Sequence, residues 1–131
     1  MSAAEFPPKL QQDVEYLREE GFQVKLEREG NNIYAVFHEF QLPEGKYSKE
    51  KVTILQPVPI PYPEGEMEMF WTDMDIRTAS GEIPEGATVT NTYLGEDWRR
   101  FSWHRKKKWD PATDDLIDQI SFIEQRFVEH D

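Results

Sequence analysis

Apolar residues recur at helical spacing near the start of the chain and then switch to strict alternation. Leu10, Val14 and Leu17 fall on one face of a 3.6-residue period, and Pro7-Pro8 suits the first turn of a helix. Glu19-Glu20-Gly21 ends that helix, the glycine free to take a left-handed cap. Phe22, Val24 and Leu26 alternate with Gln23, Lys25 and Glu27, the pattern of a half-buried strand. Gly30-Asn31-Asn32 signals a hairpin turn, and Ile33 to Phe40 continues as a second strand. Leu42 to Lys49 reads as a turn-rich connection and Lys51 to Gln56 as a third strand. Pro57, Pro59, Pro61 and Pro63 then fix an extended path that cannot donate ladder hydrogen bonds. Met67, Met69 and Trp71 alternate in a fourth strand.

Beyond it the pattern weakens. Asp73 to Glu96, punctuated by Gly81, Pro84, Gly86 and Gly95, predicts a long loop of the kind that is functional or flexible. A short helix is expected within Thr88 to Phe101. Asp110-Pro111 predicts an N-cap followed by proline at the first helical position, with Asp114 and Asp115 favouring the positive end. Leu116, Ile120, Ile123 and Phe127 form the apolar stripe of that helix. The expectation is one α+β domain over residues 1–131: an N-terminal helix, a four-stranded antiparallel meander, a long active-site-like loop and a C-terminal crossover helix.

With 131 residues the chain is long enough to bury a sizeable core. It has no cysteine, which excludes disulfides, thiolate metal sites, thioesters and cysteine nucleophiles. No apolar run is long enough to span a bilayer. The first residues lack the basic start and apolar middle of a signal peptide, so a cytoplasmic location is expected. A formal charge of −11 argues against general binding of nucleic acid, which requires cations. The charge is uneven, however. Arg99, Arg100, Arg105, Lys106, Lys107 and Lys108 supply six of the 15 basic residues within an acid-free segment from Trp98 to Trp109. That segment is either a solvated loop or a docking patch for an acidic partner or chain terminus.

Three stretches carry a family likeness. Tyr62-Pro63 followed by Met69-Phe70-Trp71 resembles the Tyr-Pro…Phe passage of ubiquitin-conjugating enzymes into their fourth strand. Gly81-Glu82-Ile83 is similar to the Gly-x-Ile that precedes their catalytic cysteine. Trp109-Asp110-Pro111-Ala112 is similar to the Trp-Ser-Pro-Ala that starts their crossover helix. The run Met-Phe-Trp…Trp-Arg-Arg-Phe-Ser-Trp-His…Trp resembles a bacterial branch, prokaryotic ubiquitin-conjugating-like family E. The resemblance implies an activating-enzyme-like protein and a ubiquitin-like protein as partners, with a deconjugating metalloprotease in the same pathway. It also implies that the first helix contacts the activating enzyme, and that Phe70, Trp71, Pro111 and Ala112 sit on two partner-docking loops.

The chain departs from the family pattern where the chemistry should be. Counting forward from the fourth strand puts Pro84 at the cysteine position; counting back from Trp109 puts Ser102 there. The family's His-Pro-Asn segment has no match in Thr72 to Ile83. Ser102 is therefore the candidate nucleophile and His104 its candidate base, since a serine needs an adjacent base at neutral pH. Residues two apart face the same way only in extended backbone. Arg99 and Arg100 are candidates for stabilising an oxyanion or holding an incoming carboxylate. The alternative is an ordinary polar loop residue beside a surface histidine.

Trp98 and Trp103, flanked by charge, are candidates for an aromatic binding surface, whereas Trp71 and Trp109 suit the core. His38 and His130 are expected to be structural or solvent-facing. Three scattered histidines predict no zinc site, and no cofactor is expected. Asp73 and Asp75 are more simply solvated acids than a catalytic pair. The leading reading is a conjugating-type component that receives a ubiquitin-like protein, carried as an oxyester on Ser102. The second is a non-catalytic adaptor of the same fold. A Ser102–His104 hydrolase ranks last, for want of an acid partner and a nucleophile elbow.

Overall fold

A computed structural model describes residues 6–67, 69–102 and 108–129. Eight elements follow one another: α1 (Pro8–Glu19), β1 (Gln23–Glu29), β2 (Asn32–Gln41), β3 (Lys51–Val58), β4 (Phe70–Asp73), β5 (Thr90–Tyr93), β6 (Glu96–Phe101) and α2 (Leu116–Glu129). The strands form one antiparallel sheet in the order β1-β2-β3-β4-β6-β5. The α+β class, the two flanking helices and the first four strands agree with the hydrophobic pattern.

The sequence reading is corrected in three places. Residues 74–89 are irregular as expected, but the end of that stretch and the expected short helix form a hairpin, β5–β6, which extends the sheet through pairing of β6 with β4. Its two-residue turn has Leu94 at φ 55° and Gly95 at φ 77°, the left-handed pair of a type I′ turn. The fourth strand begins at Phe70 rather than Met67, because the proline-fixed path turns at residues 62–64 before pairing starts. The last helix begins at Leu116, not beside Asp110. Asp110 does cap, but only a turn: its side chain accepts the Ala112 N–H at 3.0 Å. The helix cap is Asp115, whose Oδ1 accepts the Ile117 and Asp118 N–H groups at 3.0 and 3.3 Å. Asp118 returns the favour by accepting the Asp115 N–H at 3.0 Å, a capping box.

Alternation along the strands separates two clusters. The helix-facing side carries Val24, Phe37, Ile54, Phe70 and Phe101, packed under Leu10, Val14 and Leu17 of α1 and Leu116, Ile120, Ile123 and Phe127 of α2. The other side carries Tyr34, Val36, Leu55, Trp71 and Trp98, with Tyr93 and Leu94 against them. In a flat sheet β2 and β5 would lie four strand spacings apart, roughly 19 Å. Yet the rings of Tyr34 and Tyr93 have centroids 5.4 Å apart, and those of Trp71 and Tyr93 5.0 Å. The sheet therefore curls until its hairpin tip roofs the outer face. Glu29 of β1 holds that tip, its two carboxylate oxygens accepting the Leu94 N–H at 3.2 and 3.3 Å.

Candidate functional site

The region between β4 and β5 is pinned by backbone carbonyls accepting from buried and half-buried guanidiniums. Arg99, 5% exposed, donates from Nε to the Met74 carbonyl at 3.3 Å and from NH1 to the Ala87 carbonyl at 2.8 Å. Arg77 donates to the Met74 and Ile76 carbonyls at 2.9 and 2.7 Å. Arg126, on the sheet-facing side of α2, donates to the Glu85 carbonyl at 2.7 Å and to the Tyr47 hydroxyl at 3.4 Å, with its guanidinium 4.8 Å over the Phe101 ring. Burial, with the nearby Arg77 charge adding to it, pulls the Arg99 pKa below the usual arginine range. A guanidinium stays cationic at neutral pH nonetheless, and its five donors with no acceptor make Arg99 a carbonyl clamp.

These clamps lay segment 84–89 along the end of β6. The Arg100 N–H donates to the Val89 carbonyl at 2.8 Å, and the Ser102 N–H to the Gly86 carbonyl at 3.2 Å. Gly86 has φ +75°, and a Cβ there would sit 3.2 Å from the Ser102 carbonyl oxygen, so glycine serves both the backbone angle and the close approach. Of the two positions that sequence counting offered for the reactive residue, Ser102 lies on this seam, and Pro84 is buried two residues before Gly86, its carbonyl accepting the Ala87 N–H at 3.1 Å. Ile83 and Val89 expose apolar side chains near it. Beneath it, Phe101 stacks on Phe70 at 5.2 Å and meets Phe127 edge-on at 5.3 Å.

The other candidates are distributed as follows. Ser102 is half-buried. His104 and Trp103 lie outside the described residues, as does His130, so the Ser102–His104 pairing is not part of the described geometry. Arg99 sits in the interior and spends its donors on carbonyls, unlike an oxyanion clamp facing a substrate. Arg100 lies on the outer face, paired in register with Trp71, and its Nε is buried without a hydrogen-bond partner among the described residues. Trp98 is a core residue: 3% exposed, it packs on the outer-face cluster and donates Nε1 to the Tyr93 carbonyl at 3.0 Å. Phe70 and Trp71 occupy β4, not a loop, and both are buried, on opposite faces. Pro111 is exposed in the turn that Asp110 caps. Trp109 is buried and donates to the Pro63 carbonyl at 2.8 Å, which ties the two stretches that resembled the docking loops. His38 is exposed on β2. Asp73 and Asp75 share Lys49, at 3.4 and 3.0 Å, and Asp73 also accepts the Thr53 N–H, an ion-pair cluster rather than an acid–base pair. Among the described residues no group of histidine and acidic side chains is arranged to hold a metal ion.

Two features escaped the sequence reading. Arg126 follows Ile123 by three positions and therefore lies on the apolar stripe, a spacing that could have flagged it. Asp13 is 4% exposed and accepts the Tyr62 hydroxyl and, at 2.7 Å, Lys9; Tyr62 in turn accepts the Leu116 N–H at 2.6 Å. Asp13 adjoins Val14 on the buried side of α1, the one available hint.

Set against known proteins, the chain is matched by the model of prokaryotic E2 family E over residues 9–130. No curated protein and no solved structure matches it.

Proposed function

Because the chain belongs to prokaryotic E2 family E, a family that ties it to ubiquitin-like conjugation, we propose that it receives a ubiquitin-like protein from an activating-enzyme-like partner and holds its C-terminus at the seam between residues 84–89 and Ser102. The observation that supports this reading is the pairing of Ser102 with the segment that follows Pro84: the Ser102 N–H donates to the Gly86 carbonyl at 3.2 Å. In the covalent form of the proposal, the Ser102 hydroxyl attacks the activated C-terminal carbonyl, an oxyester forms, and the enzyme's leaving group departs with the proton. The setting is the cytoplasm, and a deconjugating metalloprotease would act in the same pathway. No described helix is long and apolar enough to cross a membrane.

A second reading is favoured by Arg99. Its guanidinium is committed to two carbonyls, which removes one candidate for stabilising an oxyanion. An adaptor of this fold would bind the ubiquitin-like protein reversibly and carry nothing. Incubation with ATP, the activating enzyme and the ubiquitin-like protein, read by intact mass, separates the two. An adduct that resists dithiothreitol, yields to hydroxylamine and disappears in Ser102→Ala supports the oxyester. Binding without an adduct supports the adaptor, and neither binding nor adduct defeats both.

A further inference from the structure

The two edges of the sheet differ in how they meet solvent. β1 carries Lys25, Glu27, Arg28 and Glu29 within seven residues, the charged edge that discourages strand addition. β5 carries none. From Gly86 to Gly95 the chain has ten residues without a charge, in a protein whose residues are 31% charged. Thr90, Asn91 and Thr92 are exposed, and Val89 before them is 43% exposed. No proline or bulge blunts β5.

The ladder leaves specific groups free. Tyr93 and Glu96 close the two-residue turn, so the hydrogen-bonded pairs with β6 fall at Tyr93 and Asn91. Thr90 and Thr92 then turn their N–H and C=O outward. The Thr92 N–H is met only by the neighbouring Asn91 Oδ1 at 2.8 Å, and the Thr90 backbone has no partner among the described residues.

We propose that β5 pairs with β5 of a second copy of this chain, antiparallel about a twofold axis at Asn91. That register is the one in which outward-facing residues meet outward-facing residues: Thr90 opposite Thr92 of the second copy, and Thr92 opposite its Thr90. It exchanges four backbone hydrogen bonds and sets Val89 against Tyr93, both favourable cross-strand pairings. Self-complementarity selects the occupant: in this register each outward N–H and C=O of one copy meets its counterpart on the other. Two molecules of net charge −11 repel over most of their surface, but β5 itself brings no charged side chain to the axis, the nearest acid being Asp97 on the neighbouring strand, bonded to the Thr92 hydroxyl at 2.6 Å. The pairing joins the sheets of both copies and places their Ser102 seams on one continuous surface. A four-residue strand is a small interface, so association is weak, with half-association at roughly 0.1 mM.

Sedimentation equilibrium of the full chain between about 10 µM and about 1 mM tests this. The expected result is a weight-average mass that rises from 15.5 kDa towards twice that value. Thr90→Pro removes an outward N–H that the monomer does not use, and should hold the chain at monomer mass with an unchanged circular dichroism spectrum. Asn91→Lys and Asn91→Glu each place like charges across the axis and should weaken association about threefold at low salt. Their equimolar mixture places opposite charges there and should restore it. Monomer mass at about 1 mM, association that survives Thr90→Pro, or a mixture no tighter than its components overturns the proposal. The Ser102 adduct experiment can succeed or fail independently of all three.

Discussion

The two ends of α2 are held by opposite chemistry. At the N-terminal end, negative groups are matched in place: Asp13 meets Tyr62 and Lys9, Lys9 reaches Asp115 at 3.0 Å, and Tyr62 satisfies the first helical N–H. At the C-terminal end and in the loop beside it, cations serve neutral carbonyls: Lys46 on Val128 at 2.7 Å, Arg126 on Glu85, Arg99 on Met74 and Ala87. The first arrangement fixes the framework of helices and sheet. The second holds an irregular segment that Ile76 and Ala87 anchor in the core, and its carbonyls depend on donors reaching in from outside it.

That contrast can be broken by substitution. Arg99→Met should have the largest effect, roughly 3 kcal/mol, because the buried Ala87 carbonyl loses its donor, the Met74 carbonyl keeps only Arg77, and the guanidinium leaves the interior. Urea denaturation measures it, and Arg99→Lys should recover less than half, since an ammonium lacks the fork that spans both carbonyls. Tyr62→Phe should cost about 2 kcal/mol, leaving Asp13 short of a donor and the Leu116 N–H without an acceptor.

The same variant carries a signature in pH. Burial first, and then the Asp13 carboxylate, hold the Tyr62 hydroxyl above the usual phenol range, with the Leu116 N–H working the other way. The folded pKa exceeds the unfolded value near 10, so this contribution is whole below pH ~10 and is lost as pH rises beyond it. Lys9 behaves alike: burial opposes its charge, but Asp13 and Asp115 outweigh burial and raise its pKa. Stability should therefore fall above pH ~10 in the native chain, and less steeply in Tyr62→Phe. Asp115→Ala should cost about 1 kcal/mol as a lost helix cap. Smallest of all, the coupling between Arg99→Met and Tyr62→Phe in a double-mutant cycle should lie within about 0.5 kcal/mol. A larger coupling would merge the two clusters into one.

The helices and the first three strands were legible because their apolar positions repeat at the periods that secondary structure imposes. β5 and β6 were not. Thr90 to Thr92 are polar on both faces, so alternation carries no contrast, and the turn signal is a single glycine behind Leu94. Asp110-Pro111 misled because a capping side chain and a proline serve a turn as readily as a helix. The stripe beginning at Leu116, together with Asp115 and Asp118, held the better signal. At the candidate site, residue types suggested exposure that pairing denies. Trp98 and Arg99 sit in a charged stretch, yet the β4–β6 ladder turns one into the outer cluster and the other into the interior. That Ser102 pairs with Gly86, two residues past Pro84, depends on a hairpin that the hydrophobic pattern does not announce.

Lys9 and Asp115 are 106 positions apart in the chain yet bonded in the fold. During synthesis α1 emerges early and α2 last among the described elements, so the ribosome releases the strands long before the α2 part of their cover exists. Phe37, Ile54 and Phe70 then face water or a chaperone until the final helix clears the exit tunnel. Compaction should come late and all at once, seen as a single burst of pulling force on an arrest peptide once residue 129 is outside.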